Sequence, residues 1–454
     1  MAVIRNPLRA VLNNPVRRAL TTLHPMPQND LTIRVPLDPA REPALRQRLA
    51  EINQDPAGNA ILPLGRLDSL HFARLLVVEG PDHPEEYASA LFFLANVDGP
   101  VSAFLEQLVR EFAEGLDAIF NECQGYPAPA QRDRLARQGF LARHTIPSQT
   151  FYINTIGRTV RQIREEDALY HAIQDFLDRH TPTPDASPRE VRQSIIDFVG
   201  THPELSDMLA RRPGPGRLWQ AVEQIRLAGF LVVGSVILFW GWPLLLAWLL
   251  AIRIRERVDI EYTHRAPLSR LNQLRATEDF LPHNPFAAVG YVKPGLLRRV
   301  TARGLLFPAQ VVLRHIFNNG NLAGIPILGL DGVHTIHFAR WTLLENDRRL
   351  LFTSNYDGSM ESYMVDFIDK VSWGLNIIFS NGVGYPATRW LVFGGARKEQ
   401  RFKDYLGLHQ LENLVWYSPY PHLTALNIAS NEAIRDGLRG HMSNRQALAW
   451  LKRL

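Results

Sequence analysis

Residues 70–74 read Leu-His-Phe-Ala-Arg, and residues 336–340 read Ile-His-Phe-Ala-Arg. Downstream of the first string, Asn96-Val-Asp98-Gly99, Leu116–Phe120 and Gly125-Tyr-Pro127 are answered by Asn355-Tyr-Asp357-Gly358, Leu375–Phe379 and Gly384-Tyr-Pro386, all at one constant offset. His144 with Phe151-Tyr152 returns, at a slightly longer offset, as His409 with Trp416-Tyr417. Repeats in this order over most of each half mark a duplicated domain, so the chain of 454 residues divides into two copies of one unit, each long enough to bury its own core.

Within the first copy, Leu31–Leu37 reads as a strand and Glu42–Ile52 as an amphipathic helix. Leu70–Glu79 and Ala88–Val97 form a hairpin turning at Gly80-Pro81-Asp82. Asp98 or Gly99 caps a helix over Val101–Phe120, with Pro100 as its first residue, and Gln149–Ile156 is a fourth strand. The second copy offers Ala287–Val292, Pro294–Phe317, Thr335–Leu344, Leu350–Tyr356, Ser359–Phe379 and Leu414–Ser418 in the same order. The expected fold is therefore α+β: two tandem ferredoxin-like (βαββαβ) repeats whose open sheet faces cover each other as an intramolecular dimeric α+β barrel. The divisions are a basic tail (1–28), the first repeat (29–180), a linker (181–226), an apolar segment (227–252) and the second repeat (253–454).

Leu227–Ile252 carries no charge throughout and is long enough to cross a bilayer as a helix. Arginines flank both ends, so the charge rule assigns no orientation to a single span. Paired copies belong on one side of a membrane, and Gly241-Trp242-Pro243 stands where a helix would bend. A hairpin entering and leaving the cytoplasmic face is expected, ahead of a true span or a buried helix. Pro294–Phe317 mixes Leu and Val with Arg298, Arg299, Arg303 and Arg314, in keeping with an interfacial helix or with packing on the second sheet.

Net charge is +5, almost all the cations being arginine, without a nucleic-acid stripe. The single cysteine, Cys123, excludes an internal disulfide and a cysteine zinc site. No phosphate loop, Gly-x-Ser-x-Gly elbow or Cys-x-x-Cys pair is present, which disfavours nucleotide hydrolases, serine hydrolases and zinc proteins.

The strings Thr335–Trp341, Asn355–Gly358 and Val415–Ser418 resemble those of a bacterial family of uncharacterised proteins with tandem dimeric α+β barrel halves, similar in architecture to dye-decolorising peroxidases. The resemblance implies haem as cofactor, His337 as its iron ligand, and Arg340, Asp357 and Asn355 as the catalytic set. His71, Arg74, Asn96 and Asp98 are their structural counterparts in the first repeat. Dye-decolorising peroxidases carry a Gly-x-x-Asp-Gly motif; here Asp98-Gly99 and Asp357-Gly358 match its end, with Ala95 and Ser354 at the first glycine. The expectation is a membrane-associated haem-dependent oxidoreductase of peroxidase type acting on an apolar or lipid-like substrate. The alternatives are a non-catalytic membrane-bound barrel that binds a lipid or partner protein, and a cofactor-free monooxygenase. Membrane lipid is the expected partner, nucleic acid is not, and a homo-oligomer stays open.

His and Arg three residues apart in one strand should point to opposite faces. Because both copies keep both, structural service is the simpler reading: a His bond across the pseudo-twofold axis and an Arg paired to an acid. Trp341, Tyr356, Trp373, Trp390 and Trp416 enrich the second copy in aromatics, which places any pocket there or simply bulks its core. That copy alone also has Glu278-Asp279 and His264, His283, His315 and His334; none shows metal-ligand spacing, so each is read as a surface or interface histidine.

Overall fold

The computed structural model of the chain describes residues 26–80, 89–183, 185–210, 215–276, 282–318 and 335–454. The basic N-terminal tail up to residue 25, the turn at Pro81-Asp82, Glu278, Asp279 and His334 lie outside the described residues. The architecture is α+β. Its main strands are β1 (Gln28–Pro36), β2 (Leu70–Val78), β3 (Ala90–Asp98), β4 (Thr150–Ile153), β5 (His283–Tyr291), β6 (Ile336–Leu344), β7 (Arg349–Asp357) and β8 (Val415–Tyr417). The helices that matter below are α1 (Glu42–Gln54), α2 (Val101–Glu111), α3 (Ala113–Phe120), α4 (Val160–Arg179), α5 (Arg217–Glu256), α6 (Leu296–His315), α7 (Met360–Phe379) and α8 (Ala425–Gly437).

Two four-stranded antiparallel sheets form the body, in the orders β1-β3-β2-β8 and β4-β6-β7-β5. Each sheet takes its fourth strand from the other half of the chain. Trp416 of β8 stands opposite Arg74 of β2, and Phe151 of β4 opposite Arg340 of β6. All nine residues of β2 and of β6 are buried, because one face of each sheet meets helices and the other meets the second sheet. The helix-facing core of the first sheet joins Leu31, Ile33, Ala73, Leu75, Phe93 and Ala95 to Leu45, Leu49, Phe104 and Leu108. Between the sheets, Leu76, Val78, Phe92 and Leu94 pack on Ala287, Leu344 and Leu351.

The expected helix over Val101–Phe120 breaks at Phe112 (φ −129°, ψ 35°), and α7 kinks at Val371 (φ −135°, ψ 22°), the matching position of the second copy. The break is thus part of the repeat. Trp341 and Tyr356 lie in the second core, where the Tyr356 ring stacks on Tyr363 at 3.9 Å, so these two bulk the core.

Two buried arginines join the sheets. Arg74 Nη1 donates to Phe286 O at 2.7 Å, and its Nη2 to Ser354 O at 2.8 Å and to Asn355 Oδ1. Arg340 answers with Nη1 to Leu31 O at 2.6 Å and Nη2 to Ala95 O at 2.8 Å. Each guanidinium therefore spends its donors on strand carbonyls of the opposite sheet, where an acid partner was expected. Between them, Asn355 Nδ2 donates to Asn96 Oδ1 at 3.2 Å, one repeat position touching its own copy. Burial, then the charge of Arg340, pushes Arg74 down to about 9. Burial takes Arg340 to about 10 against an opposing pull from Asp30, so both stay charged at neutral pH.

The apolar segment is part of one continuous helix of 40 residues, α5, about 60 Å long. It is long and apolar enough to cross a membrane, and none of its most apolar 18-residue window is buried. The helix runs unbroken through Gly241-Trp242-Pro243, so the expected hairpin does not form. A proline removes one backbone donor, a loss that long apolar helices absorb through local adjustment of the freed carbonyl.

Arg340→Ala and Arg74→Ala should each lower the unfolding free energy by about 3 kcal/mol, because carbonyls and a buried cavity are left unmatched. Denaturant titration of the two variants measures it. A loss below about 0.5 kcal/mol, the usual effect of surface substitutions, would show that the clamps do not hold the sheets together.

Candidate functional site

β2 departs from regular pairing at its start: Leu70 faces Val97 and Phe72 faces Asn96, leaving His71 as the extra residue of a bulge. β6 does the same between Ile336 and Phe338, at His337. The bulge breaks the two-residue alternation, so each histidine turns to the inter-sheet side with its arginine instead of away from it. His71 Nε2 then lies 2.9 Å from Asp98 Oδ1, and His337 Nε2 lies 2.7 Å from Asp357 Oδ1.

The second oxygen of each carboxylate serves a helix. Val160 N, at the start of α4, donates to Asp98 Oδ2 at 2.9 Å; Ala425 N, at the start of α8, donates to Asp357 Oδ2 at 2.7 Å. An orphan N–H and the positive end of the helix dipole both favour a carboxylate there. Asp98 therefore binds the distant α4, while the adjacent α2 has Pro100 at its N-cap and starts at Val101. In the second half Ser359 caps α7, which leaves Asp357 to α8.

Symmetry ends at the strand opposite. Gln28 of β1 pairs with Asp98, and His283 of β5 pairs with Asp357. Gln28 Nε2 donates to Arg158 O at 2.8 Å, and its Oε1 accepts from Gly157 N at 2.8 Å. His283 holds Nε2 against Leu423 O, the second-half counterpart of Arg158 O, and its Nδ1 lies 3.2 Å from Ser418 Oγ. Tyr420 is a second asymmetry: its hydroxyl lies 2.8 Å from His71 Nδ1, and Thr155 occupies the corresponding place in the first half. Burial and then the charges of Asp98 and Asp357 push the Tyr420 phenol well above its usual range, so it remains a protonated donor.

The second half thus gathers His283, His337 and Asp357, all buried, with one ligand atom from each lying within 4.8 Å of the others. His283 Nε2 is 3.7 Å from Asp357 Oδ1, and the two imidazole centroids are 4.5 Å apart. Burial first, and the neighbouring His337 second, push His283 down to about 3; Asp357 and the Leu423 carbonyl offset this only in part. Its ring is neutral. Beside the group lies a cleft lined by Gln28, His71, Asn154, Thr155, His337 and Tyr420, with a volume of about 20 Å³ that suits one water.

That geometry tests haem at His337. A porphyrin needs a cavity of several hundred Å³. Here the imidazole is hydrogen-bonded to Asp357 and packed against Phe72, with ring centroids 5.4 Å apart, beside a one-water cleft. The residues around His337 do not fit a haem. Asp357 is drawn into the histidine cluster, whereas Arg340 and Asn355, the other expected catalytic groups, lie in the inter-sheet clamps.

Of the second-half histidines, His264 is exposed as expected, but His283 and His315 are buried, the latter with its Nε2 3.2 Å from Glu223 Oε2. Sequence reading missed Gln28, His283 and Tyr420 as members of the cluster. A signal existed for the first two: each precedes an asparagine, Asn29 or Asn284, whose Nδ2 donates to Gly99 O or Gly358 O at 2.8 Å in both copies. Comparison of the chain with known protein families, with curated proteins and with solved structures finds no match to any of them.

Asp98→Ala and Asp357→Ala should each cost about 2–4 kcal/mol of stability, since each strands a buried imidazole N–H and a helix N–H together. Equal losses in thermal or denaturant unfolding are the expected outcome. A loss no larger than a surface substitution gives, below about 0.5 kcal/mol in either variant, would show that the carboxylate does not bind its sheet to its helix.

Proposed function

We propose that the chain is a membrane-bound protein in which two ferredoxin-like repeats, exchanging their fourth strands, make an intramolecular dimeric α+β barrel that lies against one face of a bilayer. The observation that carries this reading is that one body holds both ends of α5. Near its start, buried Glu223 is paired with Arg226 at 2.9 Å and with Arg314 at 2.6 Å, at the end of α6. At its end, buried Glu256 accepts from Thr388 Oγ1 at 2.9 Å and from Trp390 N and Leu391 N at 2.8 Å. Between these two anchors the helix rises about 50 Å, which exceeds the ~30 Å hydrocarbon core.

If α5 crossed the bilayer, the body beside it would have to cross as well. α6 accompanies α5 through Phe230 and Phe307, whose centroids are 6.0 Å apart, and through Trp248 Nε1 donating to Thr301 Oγ1 at 2.9 Å. α6 also carries Arg298, Arg299 and Arg303, which are costly in hydrocarbon. Lying at the interface avoids that cost and still offers lipid the exposed apolar residues that ring the middle of α5, among them Val236, Leu238, Phe239, Trp240, Trp242 and Leu244, with Leu296, Val300 and Phe307 of α6.

Of the activities considered, the non-catalytic lipid-binding barrel has the most support. The arginines that peroxide chemistry would use are committed to strand carbonyls of the opposite sheet, and the cleft at His337 admits little more than a water.

Single cysteines at exposed Gln224 and Val258, introduced into full-length protein in sealed vesicles, should both react with an impermeant thiol reagent added outside, or both stay protected. Labelling of one alone until the vesicles are opened would establish a span and sink the flat arrangement. Phe239→Arg should weaken vesicle binding about tenfold in flotation.

A further inference from the structure

We infer that His283, His337 and Asp357 form a binding site for one divalent first-row transition-metal ion per chain. Two imidazoles and one carboxylate are a donor set that such ions favour. Ligand atoms that each sit about 2 Å from a shared ion stand roughly 3 Å apart. The His337 Nε2 to Asp357 Oδ1 separation of 2.7 Å and the His283 Nε2 to Asp357 Oδ1 separation of 3.7 Å bracket that value.

Three adjacent strands supply the donors: His283 from β5, Asp357 directly opposite on β7, and His337 from the bulge of β6. Groups mounted this way, in a packed interior, are placed before the ion arrives. Outer contacts orient them further. Asp357 Oδ2 is held by Ala425 N, leaving Oδ1 turned toward both histidines. Ser418 Oγ stands at His283 Nδ1 and accepts the ring proton when Nε2 becomes the ligand atom. His337 also lines a cleft with room for a water.

The first half is an internal control. It keeps the His71 and Asp98 pair but has Gln28 in place of His283. Gln28 satisfies Arg158 O, the counterpart of Leu423 O, so the fold requires only a donor at this position. Histidine makes that contact through a protonated Nε2, and in its other tautomer, with the proton on Nδ1 facing Ser418 Oγ, it releases Leu423 O and frees Nε2 to hold a cation. The metal site does not depend on membrane seating, and its readout needs no bilayer.

Full-length protein in detergent, stripped with a chelator, is loaded in separate samples with Zn(II), Mn(II) or Fe(II), passed over a desalting column and assayed for metal. Retention of about one ion per chain for at least one of these, with a rise in Tm, is the expected result. His283→Gln places the first half's own residue here and should keep the circular dichroism of the parent while affinity falls about a hundredfold or more. No retained ion in the parent with any of the three metals, or equal retention in a folded His283→Gln, would overturn the assignment.

Discussion

The molecule depends on placing two guanidinium groups inside a core. Removing a cation from water costs several kcal/mol unless its hydrogen-bond capacity is met, and a guanidinium offers five donors in a fixed plane. Arg74 and Arg340 each give two of those bonds to strand carbonyls of the opposite sheet, with Asn355 Oδ1 and Thr32 Oγ1 accepting from them as well. Donor and acceptor therefore always belong to different sheets, so separating the sheets would leave two charges and several carbonyls unmatched. The fourth strands reinforce the same dependence. Phe151 pairs with Arg340 while its ring lies 5.9 Å from that guanidinium, and Trp416 pairs with Arg74. The residues that make the duplication visible are the ones each sheet needs from the other.

Much of this was legible. The hairpins, the helices beside them and the facing of two open sheets follow from alternation and the duplication itself. The origin of the fourth strand was not: Gln149–Ile156 reads as a strand from local composition, yet nothing local distinguishes two equivalent sheets as hosts. Bulges at His71 and His337 escaped for a related reason, since an extra residue is defined by the partner strand.

The site was harder. Apolar runs start β1 at Leu31 and β5 at Ala287, but hydrogen bonding extends both to polar residues, Gln28 and His283, and these complete the cluster. Asp98 and Asp357 suggested caps for helices immediately downstream because capping rules look only a short way ahead along the chain. Their N–H partners are instead 62 and 68 residues away in sequence. Proline at 243 suggested a break in a helix that continues through it.

Duplication also separates the requirements of folding from what has been added to them. The clamps and the His–Asp–helix links occur twice, so the architecture accounts for them in full. The apolar helix α5, His283 and Tyr420 occur once. α5 is tied chiefly to the second half, through α6, and α6 in turn holds the exchanged strand: Thr150 Oγ1 donates to Leu306 O at 2.8 Å, and Phe151 N to Gln310 Oε1 at 2.6 Å. The same half carries the third histidine. Because Gln28 meets the backbone demand at the matching position, folding alone does not require an imidazole at 283. The features present once are therefore concentrated on the second half, and it is there, rather than among the repeated residues, that a role beyond holding the fold together has room to reside.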